Sequence, residues 1–261
     1  MKKIFLLCCL SLGVLFAQNS KDILIIHSYH KGYKWSDDIS KVIEKNFLDK
    51  ENIFVSSVYM DTKRVDSPEY LDTFYHYYQE RFKHYTFDVV IAVDNSALAF
   101  VKEHYEELFS KKTPIVFVGI NNFEPSLIEG IKNISGVVEN VDIEKNIDLM
   151  ISLQPNLDKI LIINEKTITG DAVRKEIDAV SPKYESRIEI EHVDSMDMDE
   201  IASKTAGLSK NSAILWVLLF KDKTGRFLPI KIIYNRFAKL PIPLSMDFGI
   251  FIWIMALWVV F

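Results

Sequence analysis

The chain has 261 residues, enough to bury one large core or two smaller ones. Its net charge is −5, and no run of Lys and Arg marks a surface that would track phosphates, which argues against a nucleic-acid partner. Both cysteines, Cys8 and Cys9, sit in the first apolar stretch, so the body of the chain has no thiol, disulfide or cysteine metal ligand.

At the N-terminus, Lys2 and Lys3 precede the apolar run Ile4 to Phe16 (IFLLCCLSLGVLF), which is short for a membrane span, and Ala17 follows as a small residue for cleavage. Residues 1–17 therefore read as a signal peptide, and the body is expected in the periplasm or another extracytoplasmic space. Leu15 is bulky for the position three residues before the cut, so an uncleaved anchor is the alternative.

The next segments alternate. Ile23–Ile26, Ile53–Tyr59, Phe87–Val93 and Ile115–Val118 are short β-branched runs that read as buried strands. Trp35–Leu48, Tyr70–Phe82 and Ser96–Phe109 carry the helical period. Strands that are apolar throughout and separated by helices predict a parallel sheet covered on both faces. Ile134–Asn140 (ISGVVEN) reads as a strand crossing to a second block. That block starts at Lys159–Ile163 (KILII), an echo of Asp22–Ile26 (DILII). It continues with a helix at Gly170–Ala179, a strand at Ile188–Val193, a helix at Met198–Gly207 and a strand at Ala213–Phe220. The expected fold class is α/β, with two Rossmann-like lobes, 18–136 and 137–243, joined by a short hinge.

Ligands of open parallel sheets bind beyond the C-terminal ends of the strands. Those ends carry His27 to Trp35, Asp94-Asn95-Ser96, Gly119 to Asn122, Asn164 to Thr167, and Lys221-Asp222. They are rich in aromatic and hydrogen-bonding side chains, the combination that holds a small polar or zwitterionic molecule. Ser36, Asp37 and Asp38 also suit a helix cap, and Ser36 is assigned to that role. For Tyr29, Trp35, Asp94 and Asn121, site and structural roles stay open. His27 and His30 are three apart with no third ligand nearby, a thin signal for a metal; His76, His84 and His104 fall on helices and read as surface residues. Tyr70, Tyr75, Tyr77 and Tyr78 fit a helix packed on a sheet. Single carboxylates such as Glu139 and Asp222 have no partner for acid–base work, and the sequence contains no GxGxxG after the first strand, no phosphate loop, no GxSxG and no HExxH. No enzyme activity and no cofactor are expected.

The segments DILIIHSYHKGYKWSDDI (Asp22–Ile39), FDVVIAVDNSAL (Phe87–Leu98), PIVFVGINNF (Pro114–Phe123), ISGVVEN (Ile134–Asn140) and LLFKDKTGRF (Leu218–Phe227) together resemble the ABC-transporter substrate-binding-protein-like family. The likeness is strongest to the extracytoplasmic sensor domains fused to bacterial histidine kinases and diguanylate cyclases. It implies a type I periplasmic-binding-protein fold whose lobes close on a small ligand, an amino acid or other small polar solute. It places Ser28, Tyr29, Trp35, Asp94, Asn95, Asn121, Glu139, Thr167 and Asp222 at the cleft. The implied partner is a membrane kinase or cyclase module. A free-standing binding protein serving an ABC permease is the alternative, and a flavodoxin-like or Rossmann-like enzyme is a distant one.

The end departs from the resemblance. Phe248–Phe261 (FGIFIWIMALWVVF) is unbroken apolar sequence where the family continues with a motif like W-D-F-Y-L-x-x-G-I-V-G-G. Permitted codons for Ser245–Phe261, read two nucleotides later, spell Y-G-F-W-D-F-Y-L-D-Y-G-I-V-G-G-F. Residues 244–261 are therefore expected to be out of frame from near Pro243–Ser245, leaving the fold's final segment incomplete; a truncated membrane helix is the alternative reading.

Overall fold

The computed structural model describes residues 20–47, 49–139, 142–194 and 196–228, together with the backbone of the strand Phe251–Ile254. The leader 1–17, the junction at Pro243–Ser245 and the rest of the tail lie outside the described residues.

Two parallel sheets carry the chain. The first contains β1 (Lys21–His27), β2 (Ile53–Tyr59), β3 (Val89–Val93), β4 (Ile115–Asn121) and β5 (Ile134–Glu139) in the order β2-β1-β3-β4-β5. The second contains β6 (Lys159–Ile163), β7 (Glu189–Val193), β8 (Ser212–Trp216) and β9 (Phe251–Ile254) in the order β7-β6-β8-β9. The second order repeats the first four strands of the first sheet. The echo of DILII by KILII thus marks the same central strand in two copies of one topology. Leu24, Ile25 and Ile26 on β1 and Ile160 to Ile163 on β6 are completely buried, as strands covered on both faces must be.

The helices are α1 (Lys34–Phe47), α2 (Pro68–Phe82), α3 (Asn95–Glu103), the single turn α4 (Tyr105–Leu108), α5 (Ile143–Leu153), α6 (Ile168–Val180) and α7 (Met198–Ala206). Phe74, Tyr78 and Phe100 of α2 and α3 cover one face of the first sheet, while Ile39, Ile43 and Phe47 of α1 cover the other. The second sheet is covered by α5 and α6 on one side and by Met198 and Ile201 of α7 on the other. Local chemistry starts these helices. Ser67 accepts from Tyr70 N and Pro68 opens α2; Thr167 accepts from Gly170 N at α6; Asp197 and Glu200 form a reciprocal capping box at α7.

Four details differ from the sequence reading. Of the segment Ile134–Asn140, expected to cross between lobes, Ile134–Glu139 is the edge strand β5 of the first sheet, paired with β4. The helix expected over Ser96–Phe109 breaks at His104 into α3 and α4. Helix α5 was not foreseen, although Ile143, Ile147 and Met150 recur at the spacing of one buried face. The strand expected over Ala213–Phe220 leaves the ladder after Trp216, and Lys221 and Phe227 then bridge a tight hairpin. In the tail, Phe251–Ile254 pairs in parallel with β8, Ala213 to Trp216.

Gly170 in the first turn of α6 touches the backbone that precedes it. A Cβ built there would lie 2.1 Å from the carbonyl oxygen of Glu165. Gly to Ala inside a helix ordinarily stabilises by about 1 kcal/mol. Here the expected sign reverses: Gly170→Ala lowers stability in urea titrations, and a gain would contradict this packing.

Candidate functional site

The chain leaves β1, β2, β3 and β4 at one edge of the first sheet, and each exit is pinned to its neighbour. Ser28 N donates to Val93 O at 3.1 Å, Met60 N to His27 O at 2.8 Å, and Asp94 N to Val118 O at 2.9 Å. Thr62 donates to Ser28 O through both its backbone N and its hydroxyl, each at 2.8 Å. This stitching drives Lys63 inward. Among the described residues, the non-glycine residues with positive φ are Asp61, Asp94 and Asn122, all at or just beyond strand ends on this edge. Strained backbone of that kind persists where surrounding contacts over-determine it, and it clusters at functional sites.

The exits of β6 and β8 in the second sheet meet this edge. Tyr29 donates its phenol to Asp94 Oδ2 at 2.6 Å, and Thr169 on α6 donates to Asp94 Oδ1 at 3.2 Å. The hydroxyls of Tyr29 and Thr169 are themselves 3.2 Å apart. Lys221 Nζ donates to Thr62 O at 3.0 Å and pairs with Asp66 at 2.5 Å. Asn122 N donates to Glu176 Oε1 at 2.7 Å. The two halves therefore touch directly.

Between them lies a cavity of about 140 Å³, lined by residues of both halves including Tyr29, Lys63, Ser96, Glu165, Thr167 and Thr169. Lys63 is 4% exposed. Its ammonium lies 3.4 Å from the ring centre of Phe220, 4.0 Å from that of Tyr29 and 4.8 Å from that of Tyr33, so three aromatic faces from both halves surround it. Burial pulls the Lys63 pKa down to about 7, against the opposing pull of Glu165 and Asp94, with Lys221 adding repulsion. Glu165 accepts from Phe220 N, from Lys221 N at 3.1 Å and from the Thr167 hydroxyl at 3.3 Å. Burial raises the Asp94 carboxyl above its ordinary value, while Tyr29, Lys63 and Ser96 N pull it back.

Of the residues singled out from sequence, Tyr29, Asp94 and Thr167 meet at the junction of the two halves. Ser28 is buried and structural: its hydroxyl donates to Val93 O and accepts from Ala97 N. Asn95 forms a two-way clasp with the backbone of Asn121 at 3.0 and 2.9 Å. Trp35 packs over Gly119, with its ring centre 5.7 Å from that of Tyr29. Asn121 and Glu139 end β4 and β5 as register partners. Asp222 folds onto its own hairpin, accepting from Thr224 N, Thr224 Oγ1 and Arg226 N, and does not line the cavity. Ser36 lies inside α1 with its hydroxyl unpaired among the described residues, so it is not the cap, and Asp37 in the first turn accepts from Gly32 N ahead of the helix at 3.0 Å. His27 bonds Ser40 at 2.8 Å and stacks on Tyr59, and His30 lies 3.3 Å from Asp61. His104, expected on the surface, is half-buried, stacks on Tyr75 and lines the cavity. Among the described residues no group of three His, Cys, Asp or Glu is placed to hold a metal, and no helix is long and apolar enough to cross a membrane.

Lys63, Thr169 and Phe220 were missed as site residues, while Glu165 falls within the strand-end segment Asn164 to Thr167 but not among the residues placed at the cleft. Lys63 had a signal: it follows β2, and the rule that ligands sit beyond strand ends applies to that strand as to its neighbours.

No protein-family model matches the chain, and no curated protein matches it. Solved structures do. A solute-binding protein of an ABC transporter from Rhodopseudomonas palustris, in complex with 3,4-dihydroxybenzoic acid, superposes with a TM-score of 0.57 at 12% identity over 85% of this chain and 59% of its own. An ABC domain from Streptococcus pneumonia, in complex with L-Trp, gives 0.54 at 15% identity over 76% of this chain and 65% of its own. A periplasmic binding protein from Alkaliphilus metalliredigens, complexed with D-xylulofuranose, gives 0.50 at 13% identity over 86% and 75%. This chain thus spans between 59% and 75% of the length of these three. The fold is the type I periplasmic-binding-protein fold.

The lysine gives a pH signature. From about pH 7 up towards the ordinary lysine value, the unfolded chain holds a proton on Lys63 that the folded chain has lost, so stability rises with pH. The slope from one such group is at most about 1.4 kcal/mol per pH unit. Chemical denaturation across this range is expected to show the rise in the natural chain and a flatter profile in Lys63→Met; equal slopes would contradict the burial of the ammonium.

Proposed function

We propose that the chain binds a small polar solute between its two halves, and that it serves as the extracytoplasmic sensor part of a membrane signalling protein. The observation that carries the binding reading is the cavity between Tyr29 and Lys63 on one side and Glu165, Thr167 and Thr169 on the other. A solute there touches both halves at once, which it does only when they are closed. Its binding energy therefore favours the closed form by the difference in its affinity for the two states. Binding proteins of this fold hold L-Trp, 3,4-dihydroxybenzoic acid and D-xylulofuranose, so the scaffold accepts small molecules of diverse polarity. The reading is binding without chemistry. Glu165, which lines the cavity, and Asp94 behind Tyr29 are both engaged as acceptors by the fold itself.

Closure supplies the output. The contacts Tyr29–Thr169, Thr62–Lys221 and Asn122–Glu176 join or part as the halves move, and the chain ends carry that movement to a membrane kinase or cyclase module. The sensor assignment is tested by the coding region downstream: a kinase or cyclase module in the same frame supports it, and neighbouring permease and ATPase genes favour the transport role.

Binding is tested by thermal shift against a panel of amino acids, hydroxylated aromatic acids and pentoses. One chemical class is expected to raise Tm saturably. Thr169→Ala and Lys63→Met, each still folded, are expected to weaken that solute about tenfold or more, equivalent to about 1.4 kcal/mol. Unchanged affinity in both variants would contradict this placement of the solute.

A further inference from the structure

Lysines usually stand in water, and Lys63 does not. Its neighbour Thr62 is held twice by Ser28 O, so the chain turns the next side chain into the cavity. Among the described residues that line the cavity, Lys63 is the one primary amine. The rings of Tyr29, Tyr33 and Phe220 surround its Nζ and hold bulk water away. By contrast, the exposed Lys34 and Lys145 pair with Asp38 and Asp142 at the surface.

A lysine becomes a nucleophile when it is desolvated in an apolar pocket or set beside another cation. Both conditions hold for Lys63. The rings supply the first, and Lys221, fixed across the junction by Thr62 O and Asp66, supplies the second. With its pKa pulled down to about 7, about half of the Lys63 side chains carry a free lone pair at neutral pH. Lys145 moves the other way, raised by Asp142. Glu165 and Asp94 favour a positive charge on the Lys63 nitrogen. A product that keeps such a charge therefore suits the site as the ammonium does.

We infer that Lys63 captures a small aldehyde or ketone in the cavity by forming a reversible iminium bond. The neutral Nζ adds its lone pair to the carbonyl carbon, and the C=O π pair moves to the oxygen. A proton passes from nitrogen to that oxygen, giving a carbinolamine. With one further proton the hydroxyl leaves as water, and the nitrogen lone pair closes a C=N bond that carries the positive charge. The sum is one carbonyl and one ammonium giving one iminium and one water, with no oxidation or reduction. Scarce water in the ring-walled pocket favours the iminium, and hydrolysis reverses the capture. Hydroxyls of Ser96, Thr167 and Thr169 line the same cavity, which suits a carbonyl compound that also carries a hydroxyl. This rests on the reading that the solute lies between the two halves.

The test uses the full chain, hydroxyacetone as the probe, and cyanoborohydride, which reduces an iminium to a stable secondary amine. Peptide mass mapping reads the label at each lysine. At pH 7, Lys63 is expected to label at least about tenfold faster than Lys34 or Lys145, because far more of it is neutral. Its rate is expected to rise with pH through about 7 and then level off, while theirs keeps climbing. In guanidinium the unfolded chain is expected to label all three alike, which ties the advantage to the cavity. Labelling of Lys63 no faster than of the exposed lysines, or equally favoured in guanidinium, would overturn the capture. If a solute of the thermal-shift panel raises Tm and Thr169→Ala weakens it while Lys63 gains no label, the capture fails and the binding function stands.

Discussion

Asp94 is completely buried and has a φ of 75° and a ψ of 167°, a backbone conformation that side chains other than glycine rarely adopt. Strain of this kind costs on the order of 1–3 kcal/mol, and burying the carboxylate adds to it. Both costs are met by donors that converge on the two oxygens: Tyr29 from the first half, Thr169 from the second, and Ser96 N at the head of α3. The carboxylate thus fixes the turn after β3, orients the Tyr29 ring that bounds the cavity, and ties α6 to the first sheet. If the halves part, Asp94 loses a donor and gains water. Parting the halves would also break the contacts of Lys221 with Thr62 and Asp66 and of Asn122 with Glu176.

The charges around this point are arranged in compensated layers. Lys63 faces three rings, and Lys221 pairs with Asp66, while Glu165 takes its donors from the backbone of Phe220 and Lys221 and from Thr167. A buried ammonium held by aromatic faces loses much of its solvation and keeps part of its charge stabilisation. Such a group responds strongly to a negative neighbour, so a solute bringing an anionic end to Lys63 restores the charge that burial weakens.

Much of the fold was legible in the sequence because parallel strands covered on both faces must be apolar throughout. KILII and DILII announced the central strands of two similar sheets. The end of β5 and helix α5 were harder, since ISGVVEN reads alike as an edge strand or a connector. The site was legible in part. Tyr29, Asp94 and Thr167 follow their strands directly, and a positional rule finds them. Trp35, by contrast, reaches the site only through the absent side chain at Gly119. Asp222 obeyed the same positional rule and yet serves its own hairpin, because four residues later the chain folds back to meet it. Lys63 was missed because a lysine in a loop reads as solvated unless the hydrogen bonds of Thr62 to Ser28 are known, and those join residues distant in sequence.

The most direct test of the account is a crystal structure of the chain with a saturating solute taken from the thermal-shift panel. The account predicts solute density between the two sheets, in contact with Tyr29 or Lys63 on one side and with the segment Glu165 to Thr169 on the other. Solute bound to one half alone or on the outer surface, with the cavity between the halves holding only water, would contradict it.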